Sequence, residues 1–104
     1  VWNQIPANNP QQGVIQAYVK AYQAKYNEVP SYFAGNAHDA MLLIREAVQR
    51  TGSVDPAKLR DAIEASSVLG VTGPFKMSPT DHVGLTAASL RIVQVKDVRW
   101  KLQE

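Results

Sequence analysis

The first strong pattern in the chain begins at Val14, where Ile15, Tyr18, Val19, Tyr22 and Tyr26 recur at helical spacing while Gln16, Lys20, Gln23 and Lys25 fall toward water. Asn9 can accept from the first free helix amides and Pro10 suits a first turn, so a helix is predicted to start there. It should end within Asn27 to Pro30, because the residue before a proline is pushed out of the helical region. A second apolar face follows, formed by Ala37, Ala40, Met41, Ile44, Ala47 and Val48 and widened by Leu42 and Leu43, with Arg45, Glu46, Gln49 and Arg50 on the wet side. That helix should begin between Ala34 and Ala37, stop at the left-handed cap offered by Gly52, and be the most buried of the three. The third start is the clearest, with Asp55 as cap, Pro56 at the first position, and Leu59, Ala62 and Ile63 inward. This helix is short and depends on packing rather than propensity.

After Ser66 the pattern changes. Gly70, Gly73, Pro74, Pro79 and Gly84 punctuate short extended pieces, which predicts strands near Gly73 to Met77, Leu90 to Lys96 and Arg99 to Leu102. Lys96-Asp97-Val98-Arg99 sits where a hairpin turn belongs. Residues 1–9, rich in Asn, Gln and Pro, form an irregular entry segment. The sum is an α/β chain of three helices followed by short strands, with no internal repeat.

A length of 104 residues fits one small domain, and such a chain buries about two-thirds of its unfolded surface. Eleven Lys and Arg against nine Asp and Glu give a formal charge of +2. The basic residues are scattered along the sequence, which argues against nucleic-acid binding. The absence of Cys removes disulfides, Cys-based zinc sites and thiol nucleophiles together. Apolar runs such as Ala40 to Ile44 are too short to span a bilayer.

Candidate chemistry is sparse. His38 beside Asp39 and His82 beside Asp81 have the composition of metal or acid/base pairs, but adjacent residues on a helix diverge around its axis, and a first-turn carboxylate is explained by the helix dipole. No metal, cofactor or catalytic role is expected: no Ser lies in a Gly-x-Ser-x-Gly elbow, and Gly70-Val71-Thr72-Gly73 lacks the lysine and following helix of a phosphate loop. Tyr18, Tyr22 and Tyr26 read as a core seam with wet hydroxyls. Tyr32 and Phe33, in a short link before a helix start, either face a cleft or staple the helix onto the core.

The order of Tyr22 with Tyr26, Pro30, His38-Asp39-Ala40, Leu42-Leu43, Ala47, Gly52-Ser53, Asp55-Pro56, Leu59, Asp61-Ala62-Ile63, Gly70 and Gly73 resembles the C-terminal third of a periplasmic solute-binding protein of the branched-chain amino acid and amide transport family. Asp81-His82 and Leu90 to Lys96 extend the match more weakly. The resemblance implies the C-terminal part of a type I periplasmic binding fold, with residues 1–73 as the helical part of a first lobe and 74–104 as a crossing segment and terminal strands. It further implies a non-enzymatic, periplasmic solute-binding component of an ABC importer, with a small amino acid, amide or carboxylate as ligand and a membrane permease as partner. The alternatives are a ligand-sensing receptor domain of the same fold and an autonomous helical interaction module. In that family an aromatic residue of the corresponding link lines the ligand pocket, which points to Phe33 with Tyr32 and Asn36 as neighbours. Val98 departs from the family, many of whose members carry Gly there. With the rest of a two-lobed body missing, the isolated chain is expected to be a fragment and to self-associate.

Overall fold

Helix α1 runs over Gln11–Tyr26 in a computed structural model that describes residues 2–103; Val1 and Glu104, the outer ends of the expected entry and terminal segments, lie outside the described residues. The side-chain carbonyl of Asn9 accepts from the Gln11 amide at 2.9 Å, and Asn27 closes the helix in the left-handed conformation with its N–H on the Gln23 carbonyl. Helix α2 spans Tyr32–Thr51 and starts earlier than its apolar pattern suggests. Ser31 is extended, and its Oγ accepts from the Ala34 amide at 3.2 Å, so the cap forms directly after Pro30. Tyr32 and Phe33 are therefore the first two helical residues, not a non-helical link. Gly52 ends the helix at φ 62. Helix α3, Pro56–Glu64, follows its predicted cap, with Asp55 Oδ1 accepting from the Lys58 amide at 3.0 Å.

Among the described residues, four short strands make two antiparallel hairpins. Strand β1, Ser67–Leu69, pairs with β2, Pro74–Lys76, in the register Val68↔Phe75. At three residues β1 is too short to show an alternation, which is why the sequence pattern misses it. Strand β3 covers Val93–Lys96, starting later than predicted, and β4 covers Arg99–Leu102. Pairs Val93↔Leu102 and Val95↔Trp100 share one face, while Gln94↔Lys101 and Lys96↔Arg99 share the other. Gln4, from the short helical turn Trp2–Gln4, donates to the Trp100 carbonyl at 3.1 Å and accepts from the Leu102 amide at 2.9 Å. The chain's entry is thus tied to the edge of β4. Presence of both hairpins counts against the autonomous helical module.

The core is small. Ile15 and Val19 of α1 pack with Val71 of the β1–β2 turn, and Ile5, Val14 and Tyr18 surround them. Helices α2 and α3 pack together, burying Leu43, Ala47 and Ala62. Arg50 in the last turn of α2 donates to the carbonyls of Ala62 and Ala65. The buried line of α2 is Gly35, Asp39, Leu43 and Ala47. The expected inner face of α2 is corrected in part: Leu43 and Ala47 are buried and Leu42 and Val48 half-buried, but Ala37, Ala40, Met41 and Ile44 are exposed, Met41 at 64%. Nothing in residues 2–103 packs over that stripe, and the line that does pack lies about a third of a turn away.

The radius of gyration, 15.5 Å, exceeds the roughly 13 Å of a compact domain of this length. The accessible surface is 7502 Å², against about 5,800 Å² for a compact monomer of the same mass. Helices and hairpins thus present more surface than a compact domain of this mass would.

Candidate functional site

Capping by Ser31 fixes where each residue of the first turn of α2 points. Successive residues rotate by about 100°, so Tyr32 falls on the line of Gly35, Asp39 and Leu43, whereas Phe33 falls on the exposed line of Ala37, Met41 and Ile44. Tyr32 lines two adjoining concavities of about 470 and 490 Å³. Both are also walled by Thr72, Ser89 and Arg91. The first extends to Ile5, Gln11, Ile15 and Val71, and the second to Leu85, Thr86 and Leu90. Phe33, 79% exposed, and Asn36, also exposed, line neither concavity.

The cleft walls are fixed from behind by polar bonds. Gln11 is buried, and its Nε2 donates to the Val71 carbonyl at 3.0 Å. Thr86 Oγ1 accepts from the Ala88 amide, capping the short helical turn Ala87–Ser89. Arg91 folds back so that Nη1 donates to the Ala88 and Leu90 carbonyls. Ser89 Oγ is shielded from solvent and has no hydrogen-bond partner among the described residues. A Cβ on Gly73 would come within 2.8 Å of that oxygen, so only glycine allows the 85–89 segment to approach the turn.

Asp39 is the residue whose role the sequence reading got wrong. It lies in the third turn of α2, not at a helix start, and its side chain is only 1% exposed. Its Oδ1 accepts from the Val71 amide at 2.9 Å, and its Oδ2 accepts from the Thr72 amide at 2.8 Å and the Thr72 hydroxyl at 2.6 Å. Gly70-Val71-Thr72-Gly73 therefore cradles an anion after all, and the anion is the protein's own carboxylate. Asp39 Oδ1 also meets His38 Nδ1 at 3.1 Å, so these neighbours converge where divergence was expected. His82 Nε2 instead meets Glu64 Oε1 at 3.1 Å. Among the described residues no group of three metal-ligating side chains gathers.

The tyrosines form a ladder on α1. Ring centroids are 6.0 Å apart for Tyr18 and Tyr22 and 4.6 Å for Tyr22 and Tyr26, and the His38 ring lies 4.7 Å from Tyr18. They line an open groove of about 560 Å³ between α1 and α2, bordered by Lys25 and Arg45, so of the expected core seam with wet hydroxyls Tyr18 packs against the core while Tyr26 is exposed. Burial pushes the Tyr18 phenol above its ordinary value, helped by the negative charge of Asp39 and of ionised Tyr22 and Tyr26. The Tyr22 phenol is also raised, by burial and then by Glu28, to which its hydroxyl donates at 3.4 Å.

The family model described as periplasmic binding protein matches residues 2–99. The chain belongs to that family. A solved structure, that of an extracellular ligand-binding receptor from Rhodopseudomonas palustris HaA2, superimposes with a TM-score of 0.83 at 26% identity, over 97% of this chain and 30% of that one. A second extracellular ligand-binding receptor from Rhodopseudomonas palustris gives 0.81 at 22% identity, over 99% and 31%. A leucine binding protein from Thermotoga maritima MSB8 gives 0.64 at 24% identity, over 94% and 27%. The fold is accordingly that of a type I periplasmic binding protein, and the chain spans about 30% of the length of the first of these structures. No helix among the described residues is long and apolar enough to cross a membrane.

Of the cleft residues, sequence patterns singled out Tyr32 and missed Gln11, Thr72, Ser89 and Arg91. The readable signal was Asp39 itself, a carboxylate in an i, i+4 line with Gly35, Leu43 and Ala47, facing a Gly-flanked turn.

Proposed function

We propose that this periplasmic binding protein chain is part of the solute-binding component of an ABC importer. Its ligand would be an amino acid, an amide or a related small carboxylate, held between two lobes. Residues 1–73 belong to one lobe as its helical part, and 74–104 carry the crossing segment and terminal strands. The single observation that carries the reading is the family match over residues 2–99. Two features support it: Tyr32 stands 70% exposed over a concavity at the start of α2, and the chain has the excess surface of a body that packs against more structure.

Solute binding works here by differential affinity, the closed arrangement of lobes gripping the ligand better than the open one, without covalent chemistry. The closed form is what a permease would recognise, in the periplasm. Tyr32 supplies the ring nearest the cleft, while Phe33 and Asn36 are pocket candidates through family resemblance. A ligand-sensing receptor is the second reading, favoured by the 26% identical neighbour's designation as an extracellular ligand-binding receptor. It shares the solute site and differs in the partner that reads closure.

Calorimetric titration of the two-lobed protein with L-leucine and with panels of small amides and carboxylates tests the reading. Tyr32→Ala and Phe33→Ala should each weaken binding by about tenfold to a hundredfold if the ring packs on the solute, the effect of losing roughly 1.5–3 kcal/mol of apolar contact. A lowered melting temperature with an unchanged dissociation constant would make that ring a packing residue. Failure of the unaltered protein to bind any of these solutes would overturn the function.

A further inference from the structure

Asp39 touches neither concavity, yet apart from the neighbouring His38 ring its partners belong to their walls. Its two carboxylate oxygens together hold the Val71 amide, the Thr72 amide and the Thr72 hydroxyl. Val71 and Thr72 line the first concavity, and Thr72 the second. The opposite constraint comes from α1, whose Gln11 side chain holds the Val71 carbonyl. Across the cleft, Tyr32 is one helical turn from Gly35, where an added Cβ would already touch Val71 and Thr72 at 3.4 Å. One buried carboxylate thus sets the distance between the aromatic side of the cleft and its turn side.

We propose that Asp39 is a positioning residue for the solute cleft: from the buried face of α2 it locks the β1–β2 turn so that Val71 and Thr72 stand opposite Tyr32. The proposal rests on the solute-binding reading for its use, although the lock itself can be measured without a solute. Occupation of all three donors by Asp39 has a consequence for specificity. The turn cannot offer those donors to a ligand, so this wall meets the apolar part of a solute, and polar recognition falls to other residues.

Asp39→Asn keeps the volume but replaces one acceptor oxygen by a donor. An amide cannot satisfy three donors spread over both oxygens. In the two-lobed protein, hydrogen exchange at the Val71 and Thr72 amides should quicken by about tenfold or more, while Leu43, Ala47 and Ala62 exchange as before. Thr72→Val, which removes only the hydroxyl bond, should give a smaller local acceleration and covers the case in which Asp39→Asn does not fold. A uniform acceleration through the α2–α3 core, or none at residues 71 and 72, would overturn the positioning role. Titration with L-leucine on the same samples separates the two readings: if the unaltered protein does not bind while exchange changes locally, the lock stands and leucine binding falls. If the protein binds, Asp39→Asn should weaken binding by about tenfold; unchanged affinity despite a loosened turn would show that the lock does not serve the cleft.

Discussion

Asp39 Oδ2 lies 2.5 Å from where a Cβ on Gly70 would sit, with Oδ1 at 2.8 Å. The carboxylate therefore occupies the space of a side chain at residue 70, and the turn can close over it only with glycine there. Gly70→Ala should destabilise the protein by about 1–3 kcal/mol, because the displaced carboxylate must leave its three donors. Thermal melting checks this, and the cause can be isolated. In an Asp39→Ala background the same change should cost much less, whereas an equal cost in both backgrounds would rule out the contact as the source.

The β3–β4 turn holds two non-glycine residues in the left-handed region, Asp97 at φ 52 and Val98 at φ 60. Asp tolerates this conformation, but a β-branched side chain does not, and Val98 is 96% exposed, so it recovers nothing by packing. Val98→Gly should stabilise the hairpin by about 1 kcal/mol. Slower amide exchange at Val95 and Trp100 would report it; an unchanged or faster rate would contradict it.

Burial, Asp39 and the neighbouring tyrosines hold the Tyr18 phenol above its ordinary value of 10.0, so the folded state disfavours the phenolate more than the unfolded state does. The associated stability is complete below pH 10.0 and is lost as pH rises from there through the raised folded value. Melting temperature should fall over that alkaline window, and Tyr18→Phe should flatten the fall. Tyrosinate absorbance titration and melting on the same samples check the sign, and a fall as steep in Tyr18→Phe as in the parent would refute the assignment.

Phe33, Ala37, Met41 and Ile44 make one exposed apolar line on α2, and the face of Val95 and Trp100 on the terminal hairpin is exposed as well. The surface beyond that of a compact monomer is of order 1,700 Å², enough for a specific association. The 104-residue chain by itself should self-associate, and Met41→Lys with Ile44→Lys should shift it toward monomer while keeping its helix content. Sedimentation velocity decides: a monomer at high concentration without these changes would defeat the expectation.

Local chemistry determined much of this protein directly from sequence. The Asp55-Pro56 start of α3 and the Gly52 end of α2 are each set by one or two residues whose backbone preferences act over a few bonds. The order of those signals was also enough to point to the family. The start of α2 was legible in principle, since Pro30-Ser31 carries a cap; the apolar period masked it because Tyr32 and Phe33 precede the first stripe residue.

Only the tertiary structure decided which face of α2 is buried. Ala37, Ala40, Met41 and Ile44 are more apolar than Gly35 and Asp39, yet the latter line is inside, because the 70–73 turn supplies three donors that only a carboxylate at position 39 satisfies. Burial of a charge is favourable only when its partners are already in place, and those partners lie about thirty residues away, where no window of sequence pairs them. The Ser31 cap and the packing of the 70–73 turn together leave Tyr32, not its neighbour Phe33, lining the concavities walled by Thr72, Ser89 and Arg91.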